Sequence, residues 1–108
     1  MQSNKILYNV TVKIDSAIHE EWLTWMKDVH IPDVMHTGCF LSYRITRIVE
    51  DPDEHGVGYA IQYLAESKEV LNKYMENHAK KLQQAHADRY QNRYAAFRTL
   101  LEVIGEGE

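Results

Sequence analysis

The chain has 108 residues, 44% of them hydrophobic and 26% charged, an ordinary balance for one soluble globular domain built on a single core. Its net charge of −4 argues against a nucleic-acid surface, and no apolar run approaches the roughly 20 residues that span a bilayer. The single cysteine, Cys39, excludes an internal disulfide and suits a reducing cytoplasm.

The N-terminal "MQSNKILYNV" lacks the basic segment and long apolar core of a secretory signal. Within it begins a strand: Ile6, Tyr8, Val10, Val12 and Ile14 alternate with Leu7, Asn9, Thr11 and Lys13, the period of two of a half-buried strand. Asp15 and Ser16 supply N-cap chemistry for a first helix. Its apolar stripe is Ile18, Trp22, Trp25, Met26 and Val29, and it is expected to run to about His30. Pro32 disfavours a helical Ile31 but is comfortable in a new first turn, so "PDVMHT" reads as a short turn or helix ended by a left-handed Gly38.

"FLSYRITRIVE" is the second strand and "VGYAIQYLA" the third, the latter with Val57, Tyr59, Ile61 and Tyr63 on one side. "DPDEHG" between them has turn chemistry. Ser67 caps a second helix whose face carries Val70, Leu71, Tyr74, His78, Leu82 and Ala85, with a break expected near Asn77–Ala79. "YAAFRTLLEVI" reads as the last strand, with Ala95, Phe97, Thr99, Leu101 and Val103 together, and "GEGE" as a frayed tail. Lys80, Lys81, Arg89, Arg93 and Arg98 make the last third more basic. With no aromatic platform or glycine-rich loop beside them, they read as a solvated face.

The order is βαββαβ, an α+β, ferredoxin-like fold: a four-stranded antiparallel sheet with both helices on one face, in one domain over residues 1–108. The other face, partly apolar, would be a broad exposed surface on a monomer, so a sheet-to-sheet homodimer is expected. RNA is disfavoured there because the third strand lacks the aromatic and basic signature of RNA-recognition sheets.

The helix "WLTWMKDVH" followed by "HTGCF" resembles the dimeric α+β-barrel superfamily, which includes the antibiotic-biosynthesis-type monooxygenases and several small-molecule isomerases and decarboxylases. There, a Trp-bearing helix ends near a His and a Gly-Phe step enters the second strand; here Cys39 separates Gly38 from Phe40. Over nearly its whole length, through "ILYNVTV", "EEWLTWMKDVHIPDVMHTG", "YAIQYLAES" and "AAFRTLLE", the chain is similar to a family of uncharacterised bacterial proteins, a domain of unknown function. The resemblance implies the fold and the dimer; a fold does not fix an activity.

The candidate catalytic residues are His30, His36 and His78, since imidazoles can act as bases near neutral pH. Each also has a structural reading: His30 and His36 at helix C-termini, where the dipole favours a cation, and His78 as a satisfied residue of the apolar stripe. The candidate ligand-binding residues are Trp22, Trp25, Tyr59, Tyr63 and Arg44. Aromatic side chains line clefts as readily as they fill cores, and a buried hydroxyl needs a partner. Arg44, Arg47 and Arg98 lie on expected strands, and an inward arginine must find a carboxylate, backbone carbonyls or a bound anion. Cys39 reads as a small hydrophobe rather than a nucleophile. No metal is expected: Pro32 interrupts the helical face through His30 and Asp33, His78 and His86 are eight residues apart, and no HExxH is present. No cofactor motif occurs either. A small-molecule binder between helices and sheet is the leading reading. The alternatives are a cofactor-independent enzyme of monooxygenase or isomerase type and a structural or regulatory dimer without a ligand.

Overall fold

The computed structural model describes residues 4–50 and 55–108. Strand β1 (Ile6–Asp15) buries Ile6, Tyr8, Val12 and Ile14, as its period of two requires. It pairs antiparallel with β3 (Gly56–Ala65) on one side and β4 (Tyr94–Glu102) on the other. β2 (Ser42–Arg47) adds to the far edge of β3, giving the four-stranded order β2-β3-β1-β4. The turn expected at "DPDEHG" falls largely on residues 51–54, outside the described residues. β2 is shorter than its alternating sequence because Phe40 turns into the core, though single backbone bonds from Leu41 to Leu64 (2.7 Å) and from Ile48 to Gly58 (2.9 Å) continue the pairing.

Two helical segments cross the Tyr8 face of this sheet. The first runs from α1 (His19–Trp25) through a π turn (Met26–His30) into α2 (Ile31–Met35). The helix therefore does not stop at His30, and Ile31 is helical (φ −62°, ψ −45°). The Ile31 amide donates to the carbonyl of Met26, five residues back. A proline ring in a helix clashes with the carbonyl four residues earlier and supplies no N–H. The wider π turn just before Pro32 gives the ring room, so the chain swells instead of breaking. Asp15 does accept a backbone hydrogen bond, from Ala17 at 2.9 Å, but in the turn ahead of the helix; the N-cap position is Ile18, which offers no side-chain acceptor.

The second segment repeats the device: α3 (Lys68–Tyr74), a π turn (Met75–Ala79) and α4 (Lys80–Arg89). Ser67 caps it, accepting from Val70 N–H at 3.2 Å. The break expected near Asn77–Ala79 is this π turn, and the helix continues through it. One extra residue per π turn advances the buried face by about one position. The first helical segment thus buries Trp22, Met26, Ile31 and Val34 and leaves Val29 43% exposed, although regular spacing put Val29 inside. The second buries Leu71, Tyr74, Ala79 and His86 and turns Ala85 outward.

The core divides into two aromatic groups. Tyr8, Phe40, Tyr63 and Tyr74 pack at one end, with Phe40–Tyr74 and Phe40–Tyr63 ring centroids 4.7 and 5.1 Å apart. Trp22 lies against Tyr59 at the other, 4.9 Å between centroids. No helix of the described residues covers the opposite sheet face. Its rows, read across the register, are Leu101–Leu7–Leu64, then Thr99–Asn9–Gln62–Arg44, then Phe97–Thr11–Ala60–Thr46, and Phe97 is 67% exposed.

Gly38 ends α2's exit turn at φ +75°, and a Cβ there would meet nothing within 4 Å. Only backbone strain opposes a side chain, so Gly38→Ala should cost about 1–2 kcal/mol in chemical denaturation, and Gly38→Asn less. A neutral Gly38→Ala would contradict the left-handed turn.

Candidate functional site

A cavity of about 40 Å³ lies where the two helical segments face each other above β1. At roughly 10–15 Å³ per water it holds a few ordered waters or a small polar head group. Its polar walls are His30 from the first π turn, Gln83 and His86 from α4, Tyr63 from β3, Tyr74 from α3 and Arg98 from β4. Arg98 reaches it because it pairs in register with Val10, on the helix-covered side of β4. It is also exposed to solvent.

The two histidine rings meet with centroids 5.7 Å apart. Each is fixed from behind by a tryptophan. The fully buried Trp22 donates its Nε1–H to His86 Nε2 at 2.9 Å. Trp25 stacks on His30 at 5.0 Å, and Arg89 lies over the Trp25 ring, 5.4 Å from its centroid. Arg89 and the Tyr90 hydroxyl both bond to Glu21, at 2.9 and 3.1 Å, tying α4 to α1. Tyr94 meets His86 edge-on at 4.4 Å.

Indole is a donor only, so His86 Nε2 must be an unprotonated acceptor and the neutral ring carries its hydrogen on Nδ1. Protonation at Nε2 would set two N–H groups against each other. Burial depresses the His86 pKa from 6.5 to about 4, with His30 and Arg98 adding to the effect. His30 is lowered to about 4 as well, by burial and Arg98, with Asp33 opposing. Both imidazoles are therefore neutral at pH 7. Burial pushes the Tyr63 and Tyr74 hydroxyls well above the usual phenol range, helped by their tyrosine neighbours, so they remain neutral donors. The site offers one neutral base in His30, neutral donors and one fixed cation. Among the described residues no three His, Cys, Asp or Glu side chains converge in a metal-ligating group.

Of the residues singled out from the sequence, His30 and Tyr63 line the cavity. Trp22 lies beneath it and acts on it through His86; Trp25 backs His30. Tyr59 sits at the Trp22 end of the core, its hydroxyl sharing a 3.0 Å hydrogen bond with His19 Nδ1. His36 is exposed at the end of α2. His78 is half-buried over Tyr74, 6.2 Å between ring centroids, and the histidine that meets His30 is His86. Arg44 is exposed on the open sheet face. The sequence reading did not single out His86, because a regular helix puts Ala85 on the inner face and only the π turn exchanges them. Arg98 was legible in part: it alternates with Phe97 and Thr99, whose face is the open one.

The model for the domain of unknown function DUF4286 matches residues 5–104, and the chain belongs to that family. No curated protein matches it. Among solved structures it is similar to a dimeric ferredoxin-like protein from an uncultured marine organism (11% identity, TM-score 0.71, covering 97% of this chain and 100% of that one). It is also similar to an antibiotic-biosynthesis-monooxygenase-like protein from Nitrosomonas europaea (8%, 0.71, 96% and 94%). SnoaB, a cofactor-independent oxygenase from Streptomyces nogalater, is a further neighbour (10%, 0.67, 96% and 97%). At these identities the likeness shows a shared ferredoxin-like fold.

The lowered histidine pKa values fix the sign of the acid response. Between pH 6.5 and about 4 the unfolded chain binds more protons than the folded one. Stability should thus be complete near neutrality and fall as pH drops through that window, by about 1.4 kcal/mol per pH unit for each histidine. Trp22→Phe removes the donor that excludes a proton from His86 Nε2, and should raise the His86 pKa, read from ¹⁵N chemical shifts. A wild-type His86 titrating near 6.5 would contradict the assignment.

Proposed function

We propose that this DUF4286 protein binds a compact polar small molecule in the cavity between helices and sheet, and does so as a homodimer closed sheet against sheet. The observation that carries the reading is the pair of neutral, tryptophan-braced imidazoles beside Arg98. Leucines would fill this volume with no acid sensitivity, whereas two buried histidines cost stability on the acid side. Convergent polar groups with shifted pKa values around a cavity are the mark of a binding or active site. The ligand-sized part of the site is small, so any bulkier portion of a ligand would extend out past Arg98.

The dimer rests on the open sheet face. Leu7, Leu64 and Leu101 form one apolar row and Phe97 stands two rows away, a surface that a second copy would cover through a two-fold axis. A neighbour described as a dimeric ferredoxin-like protein supports a dimer. No helix of the described residues is long and apolar enough to cross a membrane. With a single half-buried cysteine, the protein is suited to the reducing cytoplasm.

A second reading, favoured by the same neutral imidazoles, is catalysis by proton abstraction. His30 would act as the base, and Arg98 with the tyrosine hydroxyls would hold the anion that forms. A fold shared with a cofactor-independent oxygenase is compatible with this, and turnover of a bound ligand would distinguish it from binding alone.

A thermal-shift screen of fragment-sized polar compounds should yield ligands that raise the wild-type melting temperature by a few degrees and that His30→Ala and Tyr63→Ala fail to bind. A ligand retained by both variants would remove the proposed site. In sedimentation experiments the wild type should be a dimer and Phe97→Glu a monomer. A wild type that stays monomeric at high concentration would overturn the assembly.

A further inference from the structure

Resting on the cavity-binding reading, we infer that the ligand is a small carboxylic acid, held as its anion with the carboxylate against the Arg98 guanidinium and with His30 and the Tyr63 and Tyr74 hydroxyls beside it. Arg98 carries the argument. β4 alternates, so Tyr94, Ala96 and Arg98 share the helix-covered face, and the register sets Arg98 beside Val10 on the central strand. This puts a guanidinium at the exposed edge of the cavity wall, where a permanent cation meets an entering ligand with its fork of N–H donors. The side-chain ion pairs seen among the described residues are Arg89–Glu21 and Arg93–Asp15, and neither involves Arg98. The polar groups that share the cavity wall with it are His30, His86, Tyr8, Tyr63, Tyr74 and the Gln83 amide, with no carboxylate among them.

Those neutral groups do not substitute for an anion. The His86 Nε2 lone pair is taken by Trp22, the Gln83 amide nitrogen donates to the Tyr8 hydroxyl at 3.4 Å, and the tyrosine hydroxyls have donors to offer. The wall therefore presents one cation, several donors and only neutral acceptors, with no carboxylate among its lining residues. A carboxylate matches it in three respects. Its two coplanar oxygens fit a guanidinium fork. Its head group suits a cavity of about 40 Å³. Its single charge matches a single arginine, whereas a phosphate dianion would face one cation only, with no glycine-rich loop beside it.

The test uses the intact chain and two matched series: formate, acetate, propionate and benzoate against formamide, acetamide, propionamide and benzamide, at constant ionic strength. Binding is followed by tryptophan fluorescence and by the His30 and His86 resonances. The inference expects acids to bind at least about tenfold more tightly than their amides. Arg98→Met should lose that preference, Arg98→Lys should keep part of it, and Lys73→Met, a change on an exposed helix flank, should leave it intact. Arg98 is solvent-exposed, so its replacement leaves the core in place. Equal binding of acids and amides, or an Arg98→Met protein that binds acids like the wild type, overturns the carboxylate inference while leaving a cavity that binds neutral ligands. If neither series moves the histidine resonances, the inference fails, and an empty fragment screen would then remove the cavity reading with it.

Discussion

A single hydrogen bond, from Trp22 Nε1–H to His86 Nε2, joins residues 64 positions apart on the two helical segments and fixes the chemistry between them. It needs Trp22 fully buried, which the regular stripe of α1 supplies, and His86 turned inward, which an unbroken α-helical phase does not. The extra residue in each π turn supplies the rotation: Met26–His30 brings His30 inward where Val29 was due, and Met75–Ala79 does the same for His86 in place of Ala85. Once the bond is made, His86 has one tautomer and one charge state at neutral pH. Its ring then forms the floor on which His30, braced by Trp25, completes the pair.

The bond also explains how a polar cavity survives in a small core. Two imidazoles buried without partners would invite either water or protonation, and both loosen packing. Here the His86 lone pair is matched to a donor with no acceptor capacity of its own, and none of the buried side-chain polar atoms among the described residues lacks a partner. The surrounding aromatic rings, Tyr90 and Tyr94 against His86 and Trp25 against His30, pack the far side of the site. The opening is left to Arg98, whose charge is the only fixed one on the cavity wall.

The strands and their faces were legible in the sequence because their signal is a strict alternation, which tertiary contacts reinforce. Ile6, Tyr8, Val12 and Ile14 inside, Tyr59, Ile61 and Tyr63 inside, and Ser67 as a cap all follow from it. The ferredoxin-like order follows from the elements in turn. The site was only half legible, and for a definite reason. Helical phase is cumulative, so one π turn misplaces every later residue on the stripe by about a position. His30 lies within the first π turn and was identified, but His86 was not, because a stripe counted past Tyr74 at 3.6 residues per turn runs through His78, Leu82 and Ala85. Pro32 marked the place of the first distortion but suggested a break, since proline's cost in an α-helix does not reveal that a wider turn can absorb it.

Register on β4 links the two faces of the sheet more tightly than their different roles suggest. Phe97 points to the open face and Arg98 to the cavity, and a slip of one residue would exchange them. An arginine would then interrupt the apolar rows proposed to meet a second copy, and a phenylalanine would fill the space between His30 and His86. The strand is pinned against that slip at both ends. At its start, Asn92 turns the chain at φ 65°, the Asp15 amide donates to the Arg93 carbonyl at 2.9 Å, and the Arg93 guanidinium meets the Asp15 carboxylate at 2.8 Å. Past its end the Val103 amide donates to the Lys5 carbonyl at 2.9 Å. Asp15 thus matters less as a helix cap than as the clamp for β4, and through that clamp it sets which side chain faces the histidines. Cavity and proposed dimer surface are accordingly two readings of one alternation, and a change that loosens the Asp15–Arg93 corner acts on both at once.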